Sequence, residues 1–184
     1  DDVMVHDETN RRLAQMLGEL GTNPGEPVAM GVLYARQADH SYTEAVLGQE
    51  LPAMIADGIS SFKIYMTYDA LKLDDYEILE VLSTARREQA LVMIHAENHD
   101  VIRWLSERLL NQGHAAPKYH AISHSRIAES EATHRAIALA ELVDTPLFVV
   151  HVSSEEALSE IRRAQQRGLK IMAETCPQYL FLTA

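Results

Sequence analysis

The sequence predicts an α/β fold built on a parallel sheet. Short apolar runs of strand length alternate with amphipathic stretches of helical length, the order that right-handed β-α-β crossovers produce. One run, "LVMIH" (91–95), is apolar nearly throughout, as a strand covered on both faces is. The predicted order is β-α-β-α-β-α-α-β-α-β, with strands centred near 30, 64, 93, 149 and 171. Two architectures accommodate it: a doubly wound sheet, or part of a (β/α)8 barrel. Five strands do not close an eight-stranded barrel, which takes about 250 residues.

The elements follow in order. "RRLAQMLGEL" (11–20) reads as a helix ahead of a "GTNPGEP" loop, and "VAMGVL" (28–33) as the first strand. "QELPAMIADG" (49–58) is a helix: Leu51, Met54 and Ile55 share a face, Pro52 suits the first turn and Gly58 the stop. The strand around Lys63 comes next. "DDYEILEVLSTARREQ" (74–89) is a helix with Asp74 as cap, Glu77 three residues on, and a stripe of Leu79, Leu82 and Ala85. After strand 91–95, "DVIRWLSERLLNQG" (100–113) is a helix closed by Gly113. A polar, His-rich link (114–128) leads to a helix at 129–143 and a strand, "LFVVHV" (147–152). "SEEALSEIRRAQQRG" (154–168) is a helix capped by Ser154 and stopped by Gly168; "LKIMAE" (169–174) is the last strand.

Charge and composition narrow the function classes. A formal net charge of -11 argues against nucleic acid or an anionic membrane surface as partner. No apolar run approaches the roughly 20 residues of a membrane span. A lone cysteine, Cys176, precludes an internal disulfide. With an acidic N-terminal stretch that lacks a signal-peptide layout, this leads us to expect a reducing, cytoplasmic location.

Sites in parallel α/β folds lie at the carboxyl ends of the strands. Lys63, His95, His151 and Glu174 all stand near such ends. A single strand-end histidine is more often structural than functional. Here two histidines each follow four apolar residues, which favours a metal site, since neutral imidazole is a common ligand. Lys63 sits in an apolar run. Burial lowers an amine's pKa, and the neutral amine can add CO2 to become an anionic carbamate able to bridge two cations. The alternative is a lysine that snorkels to water.

"GISSFKIYMTY" (58–68), "VMIHAEN" (92–98), "FVVHVSS" (148–154) and "ETCPQYL" (174–180), in this order and at these intervals, resemble the dihydropyrimidinase and D-hydantoinase family of cyclic amidohydrolases over roughly residues 49–182. The resemblance implies a (β/α)8 TIM-barrel of the amidohydrolase type, incomplete here. It implies two divalent metal ions, usually zinc, bridged by a CO2-derived carbamate on Lys63, one of them bound by His95 and His151. It assigns Tyr68 to hydrogen-bonding the substrate carbonyl as an oxyanion develops. The implied reaction is hydrolysis of a cyclic amide, a dihydropyrimidine or a 5-substituted hydantoin, to an N-carbamoyl amino acid. The implied assembly is a homotetramer.

Departures from the family pattern shape the expectation. No His-x-His pair occurs, and no late-strand aspartate follows "ETCPQYL". Residues 1–184 are therefore expected to be the central part of a longer barrel. The first and last strands and the small β domain would be absent, and this stretch inactive alone. His124 and Ser125 stand where the family commonly has Arg-Pro. Allantoinases and dihydroorotases are alternatives, but they usually carry His where Gln178 stands. A non-catalytic scaffold is another, opposed by the retention of Lys63, His95 and His151. Elsewhere, Cys176 and Trp104 are expected to pack, and His99, His114, His120, His124 and His134 to be solvated. Glu97 and Asn98 either orient His95 or cap the next helix. The charges of helix 154–168 read as a wet face.

Overall fold

The structure, a computed structural model, describes residues 30–32 and 43–181. The expected helix and loop at 11–27, and the ends of the first predicted strand, lie outside the described residues. Five strands form one sheet in sequence order: β1 (Met30–Val32), β2 (Ser61–Tyr65), β3 (Leu91–His95), β4 (Leu147–Val149) and β5 (Ile171–Ala173). All four pairings are parallel. A doubly wound sheet reverses its strand order at a switch point. No reversal occurs here, so the order is that of successive strands in a barrel wall.

The helices between the strands are α1 (Leu51–Ala56), α2 (Asp75–Glu88), α3 (His99–Asn111), α4 (His120–Ser123), α5 (Arg126–Leu142) and α6 (Glu155–Gln166); α7 (Gln178–Phe181) follows β5. A π-helical turn, Thr43–Glu50, runs into α1. The predicted box at α2 forms in both directions: Asp74 accepts from the Glu77 N–H, and Glu77 accepts from that of Asp74. The α2 stripe holds Leu82 and Ala85 as predicted, but Ile78 takes the place of Leu79. Ile78, Val81, Leu82 and Ala85 are buried, and Leu79 lies at the margin. Gly113 and Gly168 follow α3 and α6 with φ of 77° and 86°, the left-handed conformation that glycine adopts without a Cβ clash.

Several boundaries differ from the sequence reading; β5, for one, spans Ile171–Ala173 rather than 169–174. α5 starts three residues early, because the Ser125 hydroxyl caps it by accepting from the Ala128 N–H. The polar link is not all loop: it holds a 3-10 turn, Pro117–Tyr119, and α4. β4 ends at Val149 rather than at 152, because the backbone turns out of extended conformation at His151, φ 41°. Trp104 does not pack inward. It is 55% exposed on α3, with the Arg108 guanidinium 4.0 Å from its ring centroid.

Burial alternates along the strands and fixes which way each side chain faces. In β2, Phe62 and Ile64 are 0% and 1% exposed against the helical layer. Each contributes about 1.5–3 kcal/mol. A one-residue slip would expose both, so the register is firmly held and Lys63 must face the other side. Val92, Ile94, Leu147, Val149 and Ile171 repeat the pattern. On the opposite face the pairing register sets Lys63, Met93, Phe148 and Met172 in one row across the sheet. That row is only partly covered among the described residues, and Met172 is 40% exposed. Helices on one face and a partly covered, mostly apolar row on the other describe one sector of a barrel wall. No helix among the described residues is long and apolar enough to cross a membrane.

Candidate active site

His95 is the last residue of β3 and is 7% exposed. Tyr65 is its register partner on β2 and stacks on it, ring centroids 5.6 Å apart. Lys63 lies two residues earlier on β2, one side-chain layer deeper on the same face, with its ammonium 5.3 Å from the Tyr65 centroid. His151 follows β4 by two residues. Its φ of 41° turns the imidazole toward β3, and His151 Nε2 stands 2.8 Å from His95 Nδ1. The other nitrogen of His95, Nε2, is 2.8 Å from Glu97 Oε2.

That chain of contacts sets the protons. Glu97 accepts from His95 Nε2–H, so in the neutral ring Nδ1 carries the lone pair that faces His151. Burial would raise the Glu97 pKa, but the His95 hydrogen bond and nearby imidazoles outweigh it and hold the carboxyl below its usual range. Of the two roles open to "EN", Glu97 orients His95. Asn98 caps α3 by accepting from the Val101 N–H.

Lys63 and His151 share one electrostatic trend. Burial pushes the Lys63 amine below its ordinary value, and the nearby Glu174 and Cys176 only partly offset this. Burial, then the neighbouring His95 and Lys63, depress His151 to about 4. His151 is therefore neutral at pH 7, the form a metal requires. In the metal-free protein the unfolded chain binds this proton near pH 6.5, well before the folded one does. Stability should fall as pH drops from about 6.5 to about 4. Urea midpoints measured across this range check it, and His151→Asn should flatten that part of the profile.

Tyr68 completes the cluster. It lies in the loop after β2, and its ring centroid is 5.1 Å from that of His95. Its backbone is left-handed, φ 74°, and its carbonyl accepts from the N–H groups of both Leu71 and Lys72. Burial, then the Glu97 charge, raises the phenol pKa, so the hydroxyl keeps its proton. His99, expected to be solvated, is instead bonded to this loop on both sides of Tyr68. Its Nδ1 is 3.4 Å from Thr67 Oγ1 and its Nε2 is 3.2 Å from Asp69 Oδ1. His114 stacks on Tyr119 and His120 on His124; His120 and His134, the latter paired with Glu160, are exposed, as expected. Cys176 is partly buried and touches the site electrically through Lys63.

The structure thus brings His95, His151 and Tyr68 into contact, with Lys63 one layer below. The donor set fits part of a metal centre: two imidazole nitrogens converge on one point, and a carboxylate orients one of them from behind. Among the described residues, no group of three or more His, Cys, Asp or Glu side chains is placed to hold an ion. Tyr65 and Glu129 belong to the surroundings but were not singled out by sequence. Tyr65 reads as an ordinary strand aromatic. Glu129 reads as one more polar residue at a helix start, and its partner is 24 residues away.

A parallel βα sheet in barrel order, with its candidate side chains gathered at the carboxyl edge, is the architecture of a (β/α)8 barrel enzyme. No protein-family model matches the chain. A D-hydantoinase of Ralstonia pickettii is 44% identical over 142 residues, covering 77% of this chain and 31% of that protein. A solved D-hydantoinase structure superposes with a TM-score of 0.78 at 40% identity, over 84% of this chain and 32% of that one. The dihydropyrimidinase of Brevibacillus agri gives a TM-score of 0.74 at 40% identity, over 82% and 32%. The chain belongs to the D-hydantoinase and dihydropyrimidinase family, as a partial chain. It spans about a third of the length of the curated relatives it matches.

Proposed function

We propose that this chain supplies the central strands of a metal-dependent hydrolase that opens cyclic amides, dihydropyrimidines or 5-substituted hydantoins, to N-carbamoyl amino acids. The observation that carries the reading is the meeting of His95 Nδ1 and His151 Nε2 at 2.8 Å beside Tyr68, above a partly desolvated lysine. Lys63, as its carbamate, and the two histidines would hold two divalent ions, zinc by family resemblance; further ligands would come from parts of the barrel beyond this stretch. When bound, such ions supply Lewis acidity and lower the pKa of water.

The protein's own residues do the rest. Glu97 fixes the His95 tautomer. Tyr68 donates its phenol hydrogen to the carbonyl oxygen of the substrate as negative charge builds there. Tyr65, its ring centroid 5.3 Å from the Lys63 ammonium, and Met93, the register partner of Lys63, stand beside the amine. Gln178 favours this reading over the allantoinase and dihydroorotase alternatives.

The full-length protein should contain about two divalent ions per subunit and should hydrolyse dihydrouracil or a 5-substituted hydantoin. Labelling with 13CO2 should yield a carbamate resonance that is lost in Lys63→Met. A full-length protein that folds, binds no metal and opens neither ring would overturn the proposal.

A further inference from the structure

We infer that the first turns of α5 set the distance between the two histidine loops, with Glu129 as the positioning residue for His151. The β4 ladder stops at Val149, and beyond it the backbone bonds to the neighbouring strands fall on either side of His151: the Val150 N–H donates to the Ile94 carbonyl at 3.2 Å, and the Val152 N–H to the Glu174 carbonyl at 2.7 Å. His151 also adopts a backbone conformation that persists only when its surroundings over-determine it. Glu129, on α5 and only 9% exposed, supplies that determination. Its Oε1 accepts from the Ser153 N–H at 2.7 Å, and its Oε2 accepts from the Ser153 hydroxyl at 3.0 Å. Both bonds are charge-assisted, the stronger class.

The same helix start grips the other loop. The carbonyl of Ala128 accepts from the Asn98 N–H at 2.9 Å, three residues past His95. Glu131 Oε2 accepts from Asn98 Nδ2 at 2.6 Å. From the far side, the Glu174 backbone carbonyl accepts from the Val152 N–H, and the Thr175 hydroxyl donates to the Val152 carbonyl, each at 2.7 Å. The His151 loop is thus clamped between α5 and the end of β5, while α5 also holds the His95 loop. One helix start therefore braces both histidine loops, in addition to the backbone bond from Val150 to Ile94 that ties their strands together.

The inference rests on the reading of His95 and His151 as ligands, and two readouts keep their failures apart. In the full-length protein, Glu129→Ala should weaken Co(II) binding about 10- to 100-fold, the range for partners that orient ligands. In the metal-free protein it should also remove the imidazole 15N signature of the His95–His151 hydrogen bond. Glu129→Gln can still accept from the Ser153 N–H and donate to its hydroxyl, so it should restore most of both signals. Ser153→Ala, which loses only the hydroxyl bond, should fall between wild type and Glu129→Ala. Unchanged Co(II) affinity and histidine spectra in a folded Glu129→Ala protein would overturn the inference. So would Glu129→Gln proving as damaging as alanine, which would mean that charge rather than placement matters. If Glu129→Ala does not fold, the order of the other two variants decides: Glu129→Gln worse than Ser153→Ala sinks the inference. If wild type binds no Co(II), the ligand reading fails, and the 15N signature alone tests Glu129.

Discussion

Lys63→Ala in the full-length protein is expected to lose its divalent ions, with affinity reduced more than ~100-fold. That exceeds the roughly 10–100-fold cost of removing a residue that merely orients a ligand. Lys63 faces the inner side of the sheet, because Phe62 and Ile64 hold the register of β2 from the other side. Burial there lowers its amine pKa more than Glu174 and Cys176 raise it, which favours the neutral nucleophile over the ammonium. Adding CO2 turns a group that repels cations into one that binds them. A short carboxylic acid such as acetate should therefore rescue part of the metal content and activity of Lys63→Ala. Lys63→Arg should fail as completely as alanine, since guanidinium stays cationic. Metal analysis per subunit and hydantoin hydrolysis check this. Two ions retained in Lys63→Ala would end the carbamate reading.

Tyr68→Phe should leave the metal content intact and lower kcat about 10²–10³-fold, the usual cost of one oxyanion donor, about 2.7–4 kcal/mol. KM should move little, because the bond strengthens only as charge develops on the carbonyl oxygen. The phenol suits the role. Burial and the Glu97 charge keep it protonated above the usual tyrosine range, so a donor remains available into alkaline pH. The loop is built to hold it, with the Tyr68 carbonyl taking two N–H bonds and His99 bonded to the residues on either side. Steady-state kinetics on metal-replete protein separate the cases. A rise in KM at constant kcat would assign Tyr68 to ground-state binding instead.

Local signals were legible where the chemistry is local. Asp74 with Glu77, and Ser154 before a helical run, mark caps within a few residues, and both form as read. The order of strands and helices was legible for the same reason, since each element's period lies within its own residues. What failed depended on distant partners. "LFVVHV" looks like a six-residue strand, but pairing stops at Val149 where the backbone turns at His151. His99 reads as a polar helix residue until the Tyr68 loop folds over it. Lys63, His95, His151 and Tyr68 could be named because strand-end positions and four motifs single them out. Glu129 could not, since its importance lies in a turn 24 residues further on.

Among the described residues, four non-glycine positions have positive φ, and two of them are Tyr68 and His151. Gln89 and Asp144 occupy the other two, just past the ends of α2 and α5, where such geometry is ordinary. Directed evolution toward heat tolerance would be drawn to all four, since glycine or asparagine relaxes a left-handed backbone. At Gln89 and Asp144 the harvest would be harmless. At Tyr68 and His151 the hardiest clones would be those that had discarded the groups proposed to do the work.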